Sequence, residues 1–317
     1  MRVTMRQVAA HAGVSLKTVS RVFNDDERVS PQTRERVLAS MRALDYRPNG
    51  LAKSFRTGRT GTLGVVLPDV TDPFFATLLA GIDDRARDRG VVAVATSVGN
   101  SAELERDVVR TLAERHIDGL ILAPSSTDLS WLAEHIDPSA LMLVDRRPRG
   151  VQAPAIVNDD AAAVVLALDA LRSRGCSRVA LAGGVPGQPT TLARQQAFRD
   201  SAAAQGFAVE ERLICDSAAA AELVRQEAVD GVLACSPHAA VSILRSLRTI
   251  RVPLACIGDF PLSDLLSPKP IVVDQDPYLI GQAAVDDLLD GVSLDHVRVV
   301  PVHIRSETEV SHVAFAE

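Results

Sequence analysis

Cysteine and aromatic residues are scarce in this chain of 317 residues, and each shortage excludes a class of protein. The four cysteines lie far apart and lack the C-x-x-C or His–Cys spacing of a metal site. We therefore expect buried, reduced thiols in a cytosolic protein, with no bound metal or other cofactor. Aromatic residues make up only 3% of the chain, so we expect a core built from Ala, Val and Leu.

Long apolar runs are absent as well. The first residues are polar and basic, and no uninterrupted stretch approaches the roughly 18 apolar residues of a membrane-spanning helix. The sequence thus predicts neither a signal peptide nor a membrane span, and we expect a cytoplasmic protein.

Catalytic motifs are missing too. The chain has no G-x-S-x-G, no Walker loop and no H-E-x-x-H, and its seven histidines are scattered. The glycine-rich segment 183–187 follows a predicted strand but lacks the Lys and Ser of a phosphate-binding loop, which favours a plain loop at a domain edge. We predict that the protein is not an enzyme.

Acidic and basic residues are unevenly distributed. Residues 1–60 hold 12 basic and 5 acidic side chains, whereas residues 61–317 hold 22 basic and 35 acidic ones. A basic N-terminal segment on an acidic body indicates that polyanion binding is confined to that segment. Such binding should weaken steeply with salt, because it releases counterions from the nucleic acid.

The N-terminal segment carries the pattern of a helix-turn-helix. Residues 5–12 have apolar positions three and four apart, Gly13 allows a sharp turn, and Ser15 can cap the next helix. The polar and exposed face of that second helix should comprise Leu16, Lys17, Ser20 and Arg21. Two basic residues four apart suit the major groove of DNA, although they could also form a merely solvated face.

A third helix is predicted to begin at Ser30 and Pro31, which fit the cap and first-turn positions. Its inward stripe should comprise Val37, Leu38, Met41 and Leu44. Residues 49–56 give a helical pattern of about two turns, too short for an isolated helix to be stable in water. We interpret residues 49–61 as a hinge helix and linker, in which residues 49–56 become helical on DNA and residues 57–61 form a flexible connector.

Strand and helix patterns alternate beyond residue 61, and three polar pairs are predicted to cap helices: Asp72-Pro73, Asn100 with Glu103, and Asp276-Pro277.

The alternating pattern also repeats along the chain. The segment around Asp118 is echoed 112 residues later around Asp230, and the segment ending at Asp145 is echoed 114 residues later at Asp259. Two near-equal offsets predict two similar lobes, each a doubly wound parallel sheet. Ligands of such folds bind in the cleft at the carboxyl ends of the strands.

Motifs between residues 7 and 52 are specific enough to indicate a family. They are Gln7-Val8-Ala9, Ala12-Gly13-Val14-Ser15, Thr18-Val19-Ser20-Arg21-Val22, Asn24, Val29-Ser30, Thr33-Arg34, Leu44-Asp45-Tyr46-Arg47-Pro48-Asn49 and Leu51-Ala52. In these motifs the chain resembles the LacI/GalR family of transcriptional regulators, and weaker similarity continues over nearly all of its length.

The resemblance implies an α/β protein with an N-terminal all-α helix-turn-helix headpiece at residues 1–48, the hinge, and a two-lobed, doubly wound parallel-sheet core at 62–317 like that of periplasmic binding proteins. The chain should cross between the lobes near Asn158, Gln275 and Pro301. Lobe 1 would hold about 62–158 and 276–301, and lobe 2 about 159–275 and 302–317. Because the chain ends without a heptad tail, we expect a homodimer and not a tetramer.

The resemblance also assigns DNA contacts. Leu16, Lys17 and Arg21 occupy the three base-reading positions, and Arg21 can fork onto a guanine. The residues expected to contact phosphate or fix the position of the headpiece are Thr4, Ser15, Thr18, Ser20, Asn24, Ser30, Thr33, Tyr46, Asn49 and Lys53. Leu51, Ala52 and Phe55 would act in the minor groove, where Phe55 replaces the usual Leu. The alternative for the polar residues is helix capping or solvent exposure.

Effector contacts carried over from the family are Asp69, Phe74, Arg146, Arg194 and Gln275. Arg194 could hold a hydroxyl or a carboxylate, and Phe74 could pack on a ring. The alternative is that these residues only bridge the lobes. The chain departs from the family at Ser236-Pro237 and at Gly258, where polar or acidic residues are usual, which weakens the expectation of an ordinary sugar.

Together these features predict a sequence-specific DNA-binding regulator, by family habit a repressor, that binds a palindromic operator as a homodimer. A small-molecule effector, a sugar or related metabolite, would switch it from the cleft. The competing interpretations are a solute-binding or sensor protein without operator control, and an enzyme acting on the cleft ligand.

Overall fold

A computed structural model describes residues 3–23, 26, 28–46 and 60–305 of the chain. The chain forms two compact units, Met1–Thr60 and Gly61–Glu317.

Over its described residues, the first unit contains three short helices: α1 (Met5–Ala12), α2 (Leu16–Phe23) and α3 (Pro31–Ala43). Each helix is capped by a hydroxyl side chain that accepts a backbone N–H of the first turn. The capping residues are Thr4 for α1, Ser15 for α2 and Ser30 for α3. Their inward faces bury a small aliphatic core: Val8, Ala9, Ala12, Val19, Val22, Val29 and Val37. Gly13 takes φ 63° at the turn between α1 and α2, as the helix-turn-helix pattern requires.

One position of the predicted stripe on α3 is wrong. Leu38 is 40% exposed, whereas Val37 is fully buried. Adjacent helical positions point about 100° apart, so only one of this pair can face the small core.

The second unit contains seven helices among its described residues: α4 (Pro73–Asp88), α5 (Ala102–Glu114), α6 (Asp160–Ser173), α7 (Pro189–Ala204), α8 (Ser217–Arg225), α9 (Pro237–Leu247) and α10 (Pro277–Asp290). Short 3-10 turns lie at Leu132–Glu134, Pro138–Ala140, Glu211–Leu213 and Ser263–Leu265.

The described strands of the second unit form two sheets. The first contains β1 (Thr62–Leu67), β2 (Val92–Ser97), β3 (Gly119–Leu122), β4 (Leu141–Val144), β5 (Ala155–Asn158) and β11 (Val297–Val300). The second contains β6 (Val179–Ala182), β7 (Ile214–Cys215), β8 (Gly231–Ala234), β9 (Leu254–Ile257), β10 (Ile271–Asp274) and β12 (His303–Ile304).

The first sheet has the order β11-β5-β4-β3-β1-β2 and is parallel, and we call it with its helices lobe 1. The second has the order β12-β10-β9-β8-β6-β7 and defines lobe 2. Only its edge pair β10–β12 is antiparallel among the described strands. Helices cover both faces of each sheet, which is why the inner strands are continuous apolar runs. The two-lobed α/β fold predicted from the sequence is confirmed.

Helices α4 and α10 pack unusually closely in lobe 1. A Cβ on Gly81 would meet the backbone oxygen of Tyr278, and one on Gly281 would meet the backbone oxygen of Leu78. Glycine is thus required on both helices at this crossing, which joins an early helix to a late one within lobe 1.

The chain passes between the sheets after Asn158, after Asp274 and after Val300. Two of these passages are bonded to each other. Asn158 Nδ2 donates to the carbonyl oxygen of Gln275 at 3.0 Å, and Gln275 Nε2 donates to Asn158 Oδ1 at 3.2 Å. The pair is buried, so it fixes the two crossing segments side by side.

Two of the three predicted caps need correction. Asp72 caps α4, as predicted. Ser101, and not Asn100, caps α5, because Asn100 takes φ 58° and ends the preceding turn. Asp276 precedes α10 in a left-handed conformation (φ 49°), and its side chain makes no capping bond to that helix. Over the ranges that the structure describes, none of the helices is both long enough and apolar enough to span a bilayer.

Candidate functional site

Helix α2 presents one exposed face in the first unit. Val19 and Val22 hold the helix to the core, which leaves Leu16 and Lys17 exposed at its first turn. Ser20 and Arg21 lie one turn further on and are partly exposed. The arrangement sets one apolar and two cationic side chains on a single helical surface, and a major groove is wide enough to admit an α-helix.

The proposed phosphate contacts include the residues that build the helix ends. Thr4 forms a capping box with Gln7, Ser15 Oγ lies 2.8 Å from Thr18 Oγ1, and Ser30 Oγ donates to Thr33 Oγ1 at 2.9 Å. Each cap satisfies one free N–H at the start of its helix, and the other first-turn amides can still donate to an anion.

Tyr46 follows α3 and is half-buried, and burial raises the pKa of its phenol. The remaining candidates for DNA contact, Asn24, Asn49, Leu51, Ala52, Lys53 and Phe55, lie outside the described residues.

A cleft cavity of about 540 Å³ opens between the two lobes of the second unit. Lobe 1 contributes Asp69, Asp72, Phe75, Asn100 and Arg146. The main polar groups from lobe 2 are Thr190, Thr191, Arg194, Asp216, Ser217, Ser236 and His238. These side chains follow the carboxyl ends of the strands or begin the next helices, which is where a doubly wound fold places its ligand.

Two arginines form the charged floor of the cleft cavity. Arg146 Nε lies 3.0 Å from Asp145 Oδ2, and Arg146 Nη1 donates to the carbonyl oxygen of Pro124 at 2.9 Å. Arg194 Nε donates to Asp160 Oδ1 at 2.7 Å, and Arg194 Nη1 donates to the carbonyl oxygen of Cys235. Each cation is therefore already paired with an acid, and both side chains are buried.

Burial raises the pKa of Asp145, although the positive charges of Arg146 and Arg194 oppose this effect. For Arg194, burial disfavours the charged form, but Asp160 and Asp145 more than offset it and raise the pKa. Asp145 of lobe 1 and Arg194 of lobe 2 thus interact electrostatically across the two lobes.

Two acids on the lobe 1 side are fixed by local backbone contacts. Asp69 Oδ1 accepts from the amide and the hydroxyl of Thr71, which lowers the pKa of Asp69. Asp72 accepts the amide of Phe74 at the start of α4, and its burial raises its pKa. Carboxylates held in this way can accept hydroxyl groups of a ligand without reorganising.

The structure brings together only three of the five predicted effector residues: Asp69, Arg146 and Arg194. Phe74 instead lines a second cavity of about 210 Å³, whose walls include Pro277, Tyr278 and Arg305. It is Phe75 that faces the cleft cavity, with the Arg146 guanidinium 5.8 Å from its ring centre. Phe74 packs edge-on against Phe75 at 5.1 Å between ring centres, so it supports the ring that faces the cleft.

Gln275 lies away from the cleft cavity, because its amide is committed to Asn158 at the crossing segments. For this residue the observed contact fits the alternative role of bridging the lobes.

The sequence interpretation missed several cavity residues. Gly183 and Gly184, predicted to form a plain edge loop, line the cavity together with Asp216 and His238. Side chains at these glycines would collide with Ala239 and Thr191, so their absence helps to shape the space. The usable signal was their place directly after a strand end; nothing in the sequence alone distinguished His238 from the other scattered histidines.

Known protein families match the sequences of both units. Residues 4–49 match the family described as "Bacterial regulatory proteins, lacI family". Residues 60–218 match "Periplasmic binding proteins and sugar binding domain of LacI family", and residues 168–311 match "Periplasmic binding protein-like domain".

Relatives match over nearly their whole length. The ribose operon repressor of Bacillus subtilis (strain 168) is 30% identical over 302 residues, covering 90% of this chain and 90% of its own. The HTH-type transcriptional regulator CelR of Thermobifida fusca is 32% identical over 326 residues, covering 94% and 95%.

Two solved structures are similar to the whole chain. A complex of the transcriptional regulator CelR with cellobiose superposes with a TM-score of 0.68 at 27% identity and covers 96% of this chain and 99% of its own. The lac repressor dimer bound to operator and an anti-inducer superposes with a TM-score of 0.80 at 22% identity, covering 96% and 98%, and shows the same fold. The chain therefore belongs to the LacI family of bacterial DNA-binding transcriptional regulators.

Proposed function

We propose that this regulator is a repressor that binds a palindromic operator as a homodimer, with Leu16, Lys17 and Arg21 reading the bases of each half-site. The observation that carries the proposal is the exposed face of α2, where these three side chains project from a helix anchored by Val19 and Val22. Two such faces related by a two-fold axis would read an inverted repeat.

Positioning on the DNA backbone would fall to polar residues of the headpiece and hinge segments: Thr4, Ser15, Thr18, Ser20, Asn24, Ser30, Thr33, Tyr46, Asn49 and Lys53. Leu51, Ala52 and Phe55 would enter the minor groove as a hinge. Because it acts on DNA, the protein would work in the cytoplasm, and we expect no turnover of any ligand.

We further propose that the cleft cavity binds the effector through Asp69, Arg146 and Arg194, with Phe75 as the apolar wall. Phe74 would support Phe75, and Gln275 would hold the crossing segments. A ring carrying several hydroxyl groups fits this mixture of fixed carboxylates, guanidinium donors and one aromatic face. Relatives named for ribose and cellobiose support a sugar or a related metabolite as the ligand class.

The test begins with the full-length protein and a randomised palindromic duplex library. The protein should enrich one inverted repeat, and binding to that repeat should weaken as salt rises. Arg21→Ala should cost about 1–3 kcal/mol on the enriched repeat and relax the preference at one base pair in each half-site. A uniform loss on all sequences would contradict base reading by Arg21.

The effector is tested separately by thermal shift with a panel of sugars. Each sugar that stabilises the protein is then added to the enriched repeat, and operator affinity should change by a coupling energy of about 1–3 kcal/mol. Sugars that stabilise the protein but leave operator affinity unchanged would contradict the switch. Arg194→Met should abolish the stabilisation while leaving binding to the repeat in place.

A further inference from the structure

We propose that Asp26 is a positioning residue that orients the Arg21 guanidinium, and that it thereby sets the base preference of the pair that Arg21 reads. The inference rests on the proposed base-reading role of Arg21. It adds a specificity determinant outside the helix that would enter the groove.

Asp26 lies where three arginines converge after α2. Its Oδ2 is 3.7 Å from Arg21 Nε. Its carboxylate accepts two bonds from Arg28, from Nε to Oδ1 and from Nη2 to Oδ2, both at 2.9 Å. Its backbone carbonyl accepts from Arg34 Nη2 at 3.0 Å, and its amide donates to the carbonyl oxygen of Arg21 at 3.0 Å. The acid is thus held by its backbone at the end of the recognition helix.

The Asp26 carboxylate lies on the Nε side of Arg21, so the terminal Nη1 and Nη2 groups remain available to contact a base. A guanidinium reads guanine through two parallel N–H groups that face O6 and N7. Because the Asp26 carboxylate faces the Nε side of Arg21, it favours conformers whose terminal Nη1 and Nη2 groups point away from the acid. The Asp26 side chain is only 16% exposed, whereas the Arg21 side chain is 39% exposed, so the carboxylate sits behind the cation that can reach DNA.

The charge of Asp26 allows an effect on base preference to be distinguished from an effect on overall DNA affinity. The Arg28 contacts lower the pKa of the Asp26 carboxyl to about 2, so the group is negative at any ordinary pH. A fixed negative charge near DNA phosphates weakens binding to every sequence. A loss of preference at one base pair, without a uniform loss of affinity, would therefore distinguish an orienting role of Asp26 from a purely structural or electrostatic one.

The experiment uses the full-length protein and the palindromic repeat that it enriches from a randomised library. The pair read by Arg21 is located as the one where Arg21→Ala loses preference, and the three alternative base pairs are then placed there. For Asp26→Asn, the preference at this pair should fall about five- to tenfold, while affinity for a random duplex stays equal or rises. In the Arg21→Ala background, Asp26→Asn should change the preference no further.

Two further variants keep the test decisive. Asp26→Glu retains the charge, so its preference should stay within about twofold of that of the unmodified protein. This variant keeps the test decisive if Asp26→Asn disturbs folding. Arg28→Gln removes the second arginine that contacts the Asp26 carboxylate and should leave the preference at the Arg21 pair intact, even if overall affinity falls. Equal loss in Arg28→Gln and Asp26→Asn, or an unchanged preference in Asp26→Asn, would overturn the inference. If the unmodified protein enriches no palindrome, it is the proposed function that fails, and not the role of Asp26 alone.

Discussion

Gln188 and Ser125 connect the two lobes directly: Gln188 Nε2 donates to the carbonyl oxygen of Ser125 at 2.7 Å, and both residues are buried. Gln188 is the residue that precedes α7 in lobe 2, and Ser125 follows β3 in lobe 1. This bond must break if the lobes separate, so it stabilises the closed cleft by the net value of one hydrogen bond, about 0.5–1.5 kcal/mol.

Gln188→Ala should therefore favour opening of the cleft. Peptides that cover residues 124–127 and 186–190 should exchange their amide hydrogens about fivefold faster than in the unmodified protein. Gln196→Ala is the matched control, because Gln196 lies on α7 itself and its side chain bonds to Asp200 at the surface. Unchanged exchange in Gln188→Ala would mean that other contacts hold the lobes together.

Glu105 gives a second prediction, on stability. This fully buried carboxylate on α5 accepts the backbone amides of Ser125 and Ser126, the latter at 3.2 Å. Glu105→Ala leaves two buried N–H groups without an acceptor, so the free energy of unfolding should fall by about 2–4 kcal/mol. Glu105→Gln keeps one acceptor oxygen and should lose about half as much.

Urea denaturation followed by fluorescence of Trp131, the single tryptophan, measures this loss, because Trp131 packs against the same lobe 1 core. Glu103→Ala, at an exposed position in the first turn of α5, should stay within about 0.5 kcal/mol of the unmodified protein. If Glu105→Ala and Glu103→Ala unfold alike, the buried acceptor contributes nothing.

These contacts show which structural features local sequence patterns can predict and which they cannot. The turn at Gly13 and the caps at Ser15, Ser30 and Asp72 depend on residues within a few positions of each other, so local rules predicted them. The two-lobed α/β fold followed from apolar strands that alternate with helices, and it was confirmed. The role of Glu105 could not be predicted, because its partners lie some 20 residues away in a loop.

Differences of one position between the sequence prediction and the structure have a similar cause. Phe74 and Phe75 are neighbours in the first turn of α4, and a difference of about 100° decides which ring faces the cleft. Leu38 was misplaced on α3 for the same reason. Gln275 meets Asn158 across 117 positions of sequence, a contact that depends on how the two crossing segments pack.

The thiol of Cys235 leads to a pH prediction. Burial raises its pKa to about 11, from an ordinary value of 9.0. Between these pH values the unfolded chain loses the proton while the folded chain keeps it, so the free energy of unfolding falls as pH rises from 9 to 11. Cys235→Ala should reduce this fall by about 1 kcal/mol at pH 10.

Urea titrations at pH 8 and pH 10 for both proteins measure this difference. The substitution also removes buried atoms, so the stability at each pH will change, and only the difference between the two pH values bears on the thiol. Cys176 and Cys215, whose pKa values burial also raises to about 11, contribute equally in both proteins. Parallel pH profiles would show that Cys235 ionises normally in the folded chain.

Ser15 allows its two proposed roles to be separated by one substitution. Its hydroxyl accepts the amide of Thr18 at 3.1 Å as the cap of α2, and it is also a candidate phosphate contact. Aspartate caps helices as well as serine does, and its negative charge interacts favourably with the positive N-terminal end of the helix dipole. The same charge repels phosphate. Ser15→Asp should therefore leave the headpiece folded and weaken binding to every duplex.

Ser15→Ala is the comparison, since it removes the cap at a cost of about 1 kcal/mol without adding charge. Fluorescence anisotropy with the enriched repeat and with a random duplex should show a loss of at least about tenfold for Ser15→Asp on both. Resistance of the N-terminal unit to proteolysis should decrease for Ser15→Ala but not for Ser15→Asp. If Ser15→Asp binds both duplexes as tightly as the unmodified protein, Ser15 is a helix cap that lies away from the phosphates.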